Sequence, residues 1–90
     1  MEFKHEDGQI VKEQDGKAVG MIKYRKLDEQ TLEAYSTFVD ESQRGKGLAR
    51  KLVDELVEKA KSNDMKIKPT CSYVVDLFEK EHDTYKDIIA

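Results

Sequence analysis

Residues 31–61, TLEAYSTFVDESQRGKGLARKLVDELVEKAK, change periodicity once, and that change sets the fold. From Thr31 to Val39, strand alternation places Leu32, Ala34, Ser36 and Phe38 on one face and Glu33, Tyr35, Thr37 and Val39 on the other. Both faces then read as at least partly covered, as in a central strand. Further on, Leu48, Ala49, Leu52, Val53, Leu56, Val57 and Ala60 recur at helical spacing, with Arg50/Asp54, Lys51/Glu55 and Glu55/Lys59 as i,i+4 pairs on the polar side. The helix must pack on the sheet. Gln43 to Ala49, Gln-Arg-Gly-Lys-Gly-Leu-Ala, joins the two.

Working outward, Asp7-Gly8 and Asp15-Gly16 are short-hairpin signals that separate Phe3 to Glu6, Gln9 to Gln14 and Ala18 to Arg25 as strands of a meander. After Ser62-Asn63-Asp64 the chain extends again from Met65 to Thr70, where Pro69 argues for an edge, a bulge or a splayed end. Val74, Leu77 and Phe78 begin a last helix, and Tyr85, Ile88 and Ile89 continue one after a break near His82-Asp83. Strand, helix and strand in one sheet make a right-handed parallel crossover. The expected class is therefore α+β: a mostly antiparallel sheet with one parallel β-α-β crossover and a C-terminal helix. Tyr24, Tyr35, Phe38 and Phe78, at strand or helix spacing, read as core.

Ninety residues make one small domain, able to bury about 60–65% of its unfolded surface. At 39% charged and 38% hydrophobic, with one proline, the chain reads as folded and soluble. No apolar run approaches the ~18–20 residues that span a bilayer, and Met1 to His5 holds no signal core, so no membrane role and a cytoplasmic address are expected. A single cysteine, Cys71, forms no internal disulfide, and with His5 and His82 it has no metal-ligand spacing. The net charge of -3, without an extended basic face, argues against nucleic acid.

The joining segment carries the chemistry. Two glycines let the backbone bend and approach a ligand, while the first helical turn leaves four N–H groups unpaired at the positive end of the helix dipole. Such a turn is a ready anion site. Arg44, Lys46, Arg50 and Lys51 crowd this stretch in an acidic chain, so the local field runs against the global one. The plainer reading is a turn with a solvated basic face. Neither Gly-x-x-x-x-Gly-Lys-Ser/Thr nor Gly-x-Gly-x-x-Gly with a distant acid is present, which sets aside kinase, ATPase and dehydrogenase readings.

Arg44, Gly47 and Ala49 match Arg/Gln-x-x-Gly-x-Gly/Ala, and Val39 stands five residues before Arg44. In this the chain resembles the GNAT superfamily of N-acetyltransferases, over roughly Leu32 to the C-terminus. The resemblance implies a compact GNAT-like fold and acetyl-CoA as acetyl donor. It implies that backbone N–H groups of Arg44, Gly45, Lys46, Gly47, Leu48 and Ala49 bind the pyrophosphate, with Lys46, Arg50 or Lys51 near the 3′-phosphate. It further implies that the parallel strands splay apart, Ser36, Thr37, Phe38 and Val39 beside Ile67 to Cys71, to admit the pantetheine arm.

The chain also departs from the family. Full-length GNAT domains carry an N-terminal strand and two helices that shape the acceptor pocket, whereas here strands follow Met1 directly. Cys71 and Phe78 occupy the positions of the usual asparagine and of the tyrosine that protonates the departing thiolate. Pro69-x-Cys71-x-Tyr73 resembles a subgroup of short GNAT-like proteins. Tyr73, with its O–H, and Cys71 are the candidate acids; Cys71 at a helix start is also a candidate nucleophile that carries the acetyl group. Glu41 and His82 are further candidate bases. The expected activity is N-acetyl transfer to an amine; the alternative is a catalytically reduced CoA-binding or sensing module that engages a protein partner. A homodimer is a way to complete the acceptor pocket.

Overall fold

The computed structural model describes residues 3–90. Five strands form one sheet in sequence order. β1 (Lys4–Glu6), β2 (Gln9–Gln14), β3 (Lys17–Asp28) and β4 (Thr31–Val39) make the expected antiparallel meander, and β5 (Lys66–Pro69) joins β4 in parallel after helix α1 (Leu48–Ser62). Phe3 precedes β1 rather than starting it, and packs partly buried against the core. At the β2–β3 turn, Asp15 and Gly16 both take positive φ, 55° and 77°, which is what a two-residue hairpin of this hand requires.

Ile10, Ile22, Leu32, Ala34 and Ile67 of the sheet are fully or nearly buried against Leu52, Val53 and Leu56 of α1. The same cluster takes in Val74 and Phe78 of α2 (Ser72–Lys80) and Tyr85 of α3 (His82–Tyr85). The Phe78 and Tyr85 rings meet at 4.8 Å between centroids. All three helices thus share one face of the sheet.

Two expectations need correction. The alternation read for β4 does not persist, because Lys23 pairs with Ser36 and Tyr24 with Ala34, which leaves Tyr35 as an extra residue in a β-bulge. Beyond the bulge the faces exchange: Thr37 and Val39, paired with Ile22 and Gly20, turn to the helices, and Phe38, paired with Met21, turns away. Phe38 is 45% exposed and Tyr35 40%, so these two are not core, and that face of β4 is open. Tyr24 and Phe78 are buried as expected.

The second correction is at the C-terminus. The helix ends at Lys80, the break falls at Glu81, and His82 begins α3 rather than interrupting it. Ile88 and Ile89 then leave the helix and run beside β5. The Ile67 N–H donates to the Ile88 carbonyl at 2.7 Å, the Ala90 N–H donates to the Ile67 carbonyl at 2.8 Å, and Ile89 bridges Ile67 in parallel. This segment covers ladder groups that β5 would otherwise present as a bare edge.

Candidate active site

The segment between β4 and α1 is fixed at both ends before it reaches its glycines. The Asp40 N–H donates to the Val19 carbonyl at 2.8 Å, and its carboxylate accepts from the Ser42 hydroxyl (2.7 Å) and N–H (3.1 Å) to cap a 3-10 turn, Glu41–Gln43. Those two bonds, hydroxyl first, hold the Asp40 carboxyl below its ordinary value. Gln43 Nε2 donates to Gln14 Oε1 at 2.8 Å and ties the segment to β2. Gly45 and Gly47 then take φ of 79° and 76°, a left-handed conformation that disfavours side chains with a Cβ.

Gly47 is the N-cap of α1, with no side-chain cap and no acidic residue in the first turn. The first helical bond runs from the Lys51 N–H to the Gly47 carbonyl at 3.2 Å, so the Leu48, Ala49 and Arg50 N–H groups have no carbonyl within the helix. Arg44 and Lys46, by contrast, donate within the segment, to the Glu41 and Gln43 carbonyls at 3.2 and 3.3 Å. The donors available to an anion therefore centre on the helix start. They open on a hollow of about 250 Å³ lined by Val39, Arg44, Gly45, Gly47, Leu48, Ala49 and Tyr73. A larger hollow, about 580 Å³, lies at the other end of the sheet, beside His5, Tyr24, Arg25 and Lys59.

Beside the hollow at the start of α1 the sheet parts. The β4–β5 ladder ends at Ala34 opposite Pro69, which has no N–H to continue it, while β4 runs on to Val39. The Thr70 and Cys71 N–H groups converge on the Ala34 carbonyl, each at 3.0 Å, and the chain then turns into α2. Cys71 is the N-cap of α2, half-buried, with its thiol 3.4 Å from Thr37 Oγ1. The β4 bulge makes that contact possible, because it turns Thr37 to the helix side. Burial pushes the Cys71 thiol up, but hydrogen bonding with the Thr37 hydroxyl and with the N–H groups of Val74, Tyr73 and Thr37 outweighs it, leaving the thiol below its ordinary value. Tyr73 is raised, chiefly by burial, and stays protonated through neutral pH.

The structure thus brings Val39, Arg44, Gly45, Gly47, Leu48 and Ala49 together with Tyr73, and sets Cys71 at the adjoining gap. Other candidates lie elsewhere. Phe38 faces the opposite side of the sheet. Lys46 lines a neighbouring hollow with Lys17 and Asp40. Arg50 is engaged by Asp54 (3.9 Å) and Glu81 (3.5 Å) and lies over the Tyr85 ring. Glu41 is exposed in the 3-10 turn, and His82 lines a separate hollow with Glu81 and Asp83. Sequence reasoning missed Thr37 as a partner of Cys71. Their contact spans 34 residues and depends on a bulge that no turn signal marks.

An open glycine turn at a helix start, beside a parted parallel strand pair, defines the class as the GNAT-type α+β fold. The chain belongs to the GCN5-related N-acetyl-transferase family, whose profile matches residues 9–88. A GCN5-like protein of Staphylococcus aureus solved by NMR superposes with a TM-score of 0.81 at 30% identity, over 99% of this chain and 87% of that one. An IAA acetyltransferase from Bacillus cereus gives 0.65 at 26% identity, over 80% and 51%. A GNAT family acetyltransferase from Elizabethkingia anophelis with acetyl-CoA bound gives 0.66 at 18%, over 80% and 50%, a likeness of fold alone. The chain spans about half the length of the latter two. No curated protein matches the sequence significantly.

Proposed function

We propose that this protein takes the acetyl group of acetyl-CoA and delivers it to an amine, with Cys71 as nucleophile and Tyr73 as proton donor. The observation that carries the reading is geometric: a half-buried thiol at the N-cap of α2, 3.4 Å from Thr37 Oγ1, stands where the β4–β5 ladder ends, near an uncapped helix start. The Gly47 to Arg50 turn fits a pyrophosphate, as its donors are unpaired and its glycines place no Cβ in the way. The free margin of β4 beyond Ala34 fits the extended arm of the donor, whose acetyl group arrives at Cys71. A structural neighbour solved with acetyl-CoA supports the same donor.

In this reading Cys71, as the thiolate with its proton already released to solvent, attacks the thioester carbonyl carbon, the bond from that carbon to the CoA sulfur breaks, and Tyr73 protonates the departing thiolate. The acceptor amine then attacks the acetyl-Cys71 carbonyl, the Cys71 thiolate leaves, and the ammonium proton returns to Tyr73. Thr37 and the N–H groups of Tyr73 and Val74 hold the thiolate in both half-reactions. Intact-mass spectrometry after exposure to acetyl-CoA tests this. One acetyl group on the Cys71 peptide, lost on adding an amine and missing from Cys71→Ala, is the expected result. Equal CoA release by Cys71→Ala and parent with an amine panel would overturn the covalent route, and no adduct with no CoA release would overturn acetyl transfer itself.

A further inference from the structure

We infer that Glu33 and Thr70 are positioning residues for Cys71: the Glu33 carboxylate, anchored by Arg25, holds the Thr70 hydroxyl and so fixes the chain where β5 leaves the sheet. This rests on Cys71 acting as the nucleophile. The bonds form a continuous chain across three strands on the open face. Arg25 Nε donates to Glu33 Oε1 at 2.6 Å, and the Arg25 guanidinium lies 4.7 Å from the Tyr35 ring centre, on the bulged residue of β4. Thr70 Oγ1 donates to Glu33 Oε2 at 2.8 Å, with a longer approach of 3.4 Å to the Ala34 carbonyl. Both carboxylate oxygens are thus engaged, and although Arg25 is 62% exposed, the Glu33 side chain is only 13% exposed.

The need for such a clamp follows from the backbone beside it. Pro69 contributes no N–H, and the Thr70 and Cys71 N–H groups share one acceptor, the Ala34 carbonyl, at 3.0 Å each. A shared acceptor holds each donor less firmly than a ladder bond does, and no regular pairing follows to correct the direction of the chain. The side-chain bond to Glu33 supplies the missing constraint one residue before the thiol. It acts through geometry, since the Thr70 orientation sets where the Cys71 Sγ stands relative to Thr37 and to the first N–H groups of α2. Arg25 and Thr70 also keep the Glu33 carboxyl ionised below its ordinary value, Arg25 contributing most, so the clamp persists through neutral pH. The charged groups on this face nearest the clamp are Arg25 and Lys68, while Thr37 and the α2 N–H groups face the thiol itself.

The test is the pH dependence of Cys71 alkylation by iodoacetamide, which reads the thiol without acetyl-CoA or an acceptor. Thr70→Val keeps the shape and removes the hydroxyl. It should slow alkylation at neutral pH about threefold to tenfold, the range that the net worth of one intramolecular hydrogen bond spans, and move the midpoint upward. Thr70→Ser should restore the parent profile, and Glu33→Gln should shift it in the same direction as Thr70→Val. Thermal unfolding of each variant separates this from loss of fold, because a merely structural role would lower Tm and leave the alkylation midpoint in place. A Thr70→Val profile that superposes on the parent overturns the inference. If the profile shifts while Cys71→Ala still releases CoA at the parent rate, the positioning holds and the nucleophile assignment fails.

Discussion

Gly20 offers a sharp test of how the glycine turn before α1 is seated. It lies on β3 opposite Val39, and a Cβ built there would stand 2.8 Å from Leu48 Cδ2, 3.3 Å from Leu48 Cγ and 3.2 Å from Leu52 Cδ1. Leu48 is the first residue of α1, immediately after Gly47, and is 4% exposed, so its side chain has little room to retreat. In Gly20→Ala, overpacking of this kind costs about 1–3 kcal/mol. Removing a strand glycine returns about 0.5–1 kcal/mol through the unfolded chain. The net is a loss of between about 0 and 2.5 kcal/mol from a total of about 5–13 kcal/mol for a chain of this size. At about 4–8 °C per kcal/mol, Tm should fall, by up to about 20 °C, in a calorimetric scan. Displacing Leu48 also displaces the N–H groups beside Gly47, so acetyl-CoA affinity should fall with it. Leu48→Val shortens the obstructing side chain, and the double variant should be more stable than the two single losses added together. A Gly20→Ala protein with unchanged or raised Tm, additive with Leu48→Val, would show that α1 does not seat on β3 through this contact.

Gly47→Val should cost about 1–2 kcal/mol in left-handed strain and weaken acetyl-CoA binding at least about tenfold, by roughly 1.4 kcal/mol or more, because its Cβ projects into the open space before the helix start; isothermal titration checks this. Tyr85 is pushed up to about 12 by burial and by its hydrogen bond to Asp54. A raised value contributes stability that is whole below pH 10 and is lost as pH climbs towards 12, so denaturant midpoints should fall across that window and fall less in Tyr85→Phe.

Much of this arrangement was legible in the chain. β2 and β4 match the strands read from alternation and turn residues, and α1 starts at Leu48 as its apolar spacing requires, because one-sided burial on a sheet imposes that spacing. Pro69 marked the parting of β4 and β5 for a local reason, the missing donor, and the structure places the end of the ladder there. The exchange of faces within β4 was not legible, since the bulge at Tyr35 arises from pairing with β3 and has no signal in its own residues. For the same reason Phe38 was read as core, and Thr37 was missed. The C-terminal segment was read as helix from its apolar residues alone. Those residues serve the edge of β5 instead, and only the sheet's composition shows that an edge was there to cover. The partners of the site's basic residues were legible only in part. Arg50 is held by Asp54 and Glu81, partners that lie four and 31 residues away, the second beyond any local pattern.

The central claim is that the turn at the start of α1 and the gap beside β4 form one site for acetyl-CoA. An amide-resolved NMR titration of the protein with acetyl-CoA tests it most directly. Saturable shifts centred on Gly45, Gly47, Leu48, Ala49 and Arg50 and extending through Val39 to Cys71 and Tyr73 are the predicted result. No shifts at these amides in millimolar ligand, or shifts confined to the hollow beside His5 and Lys59 at the other end of the sheet, would contradict it.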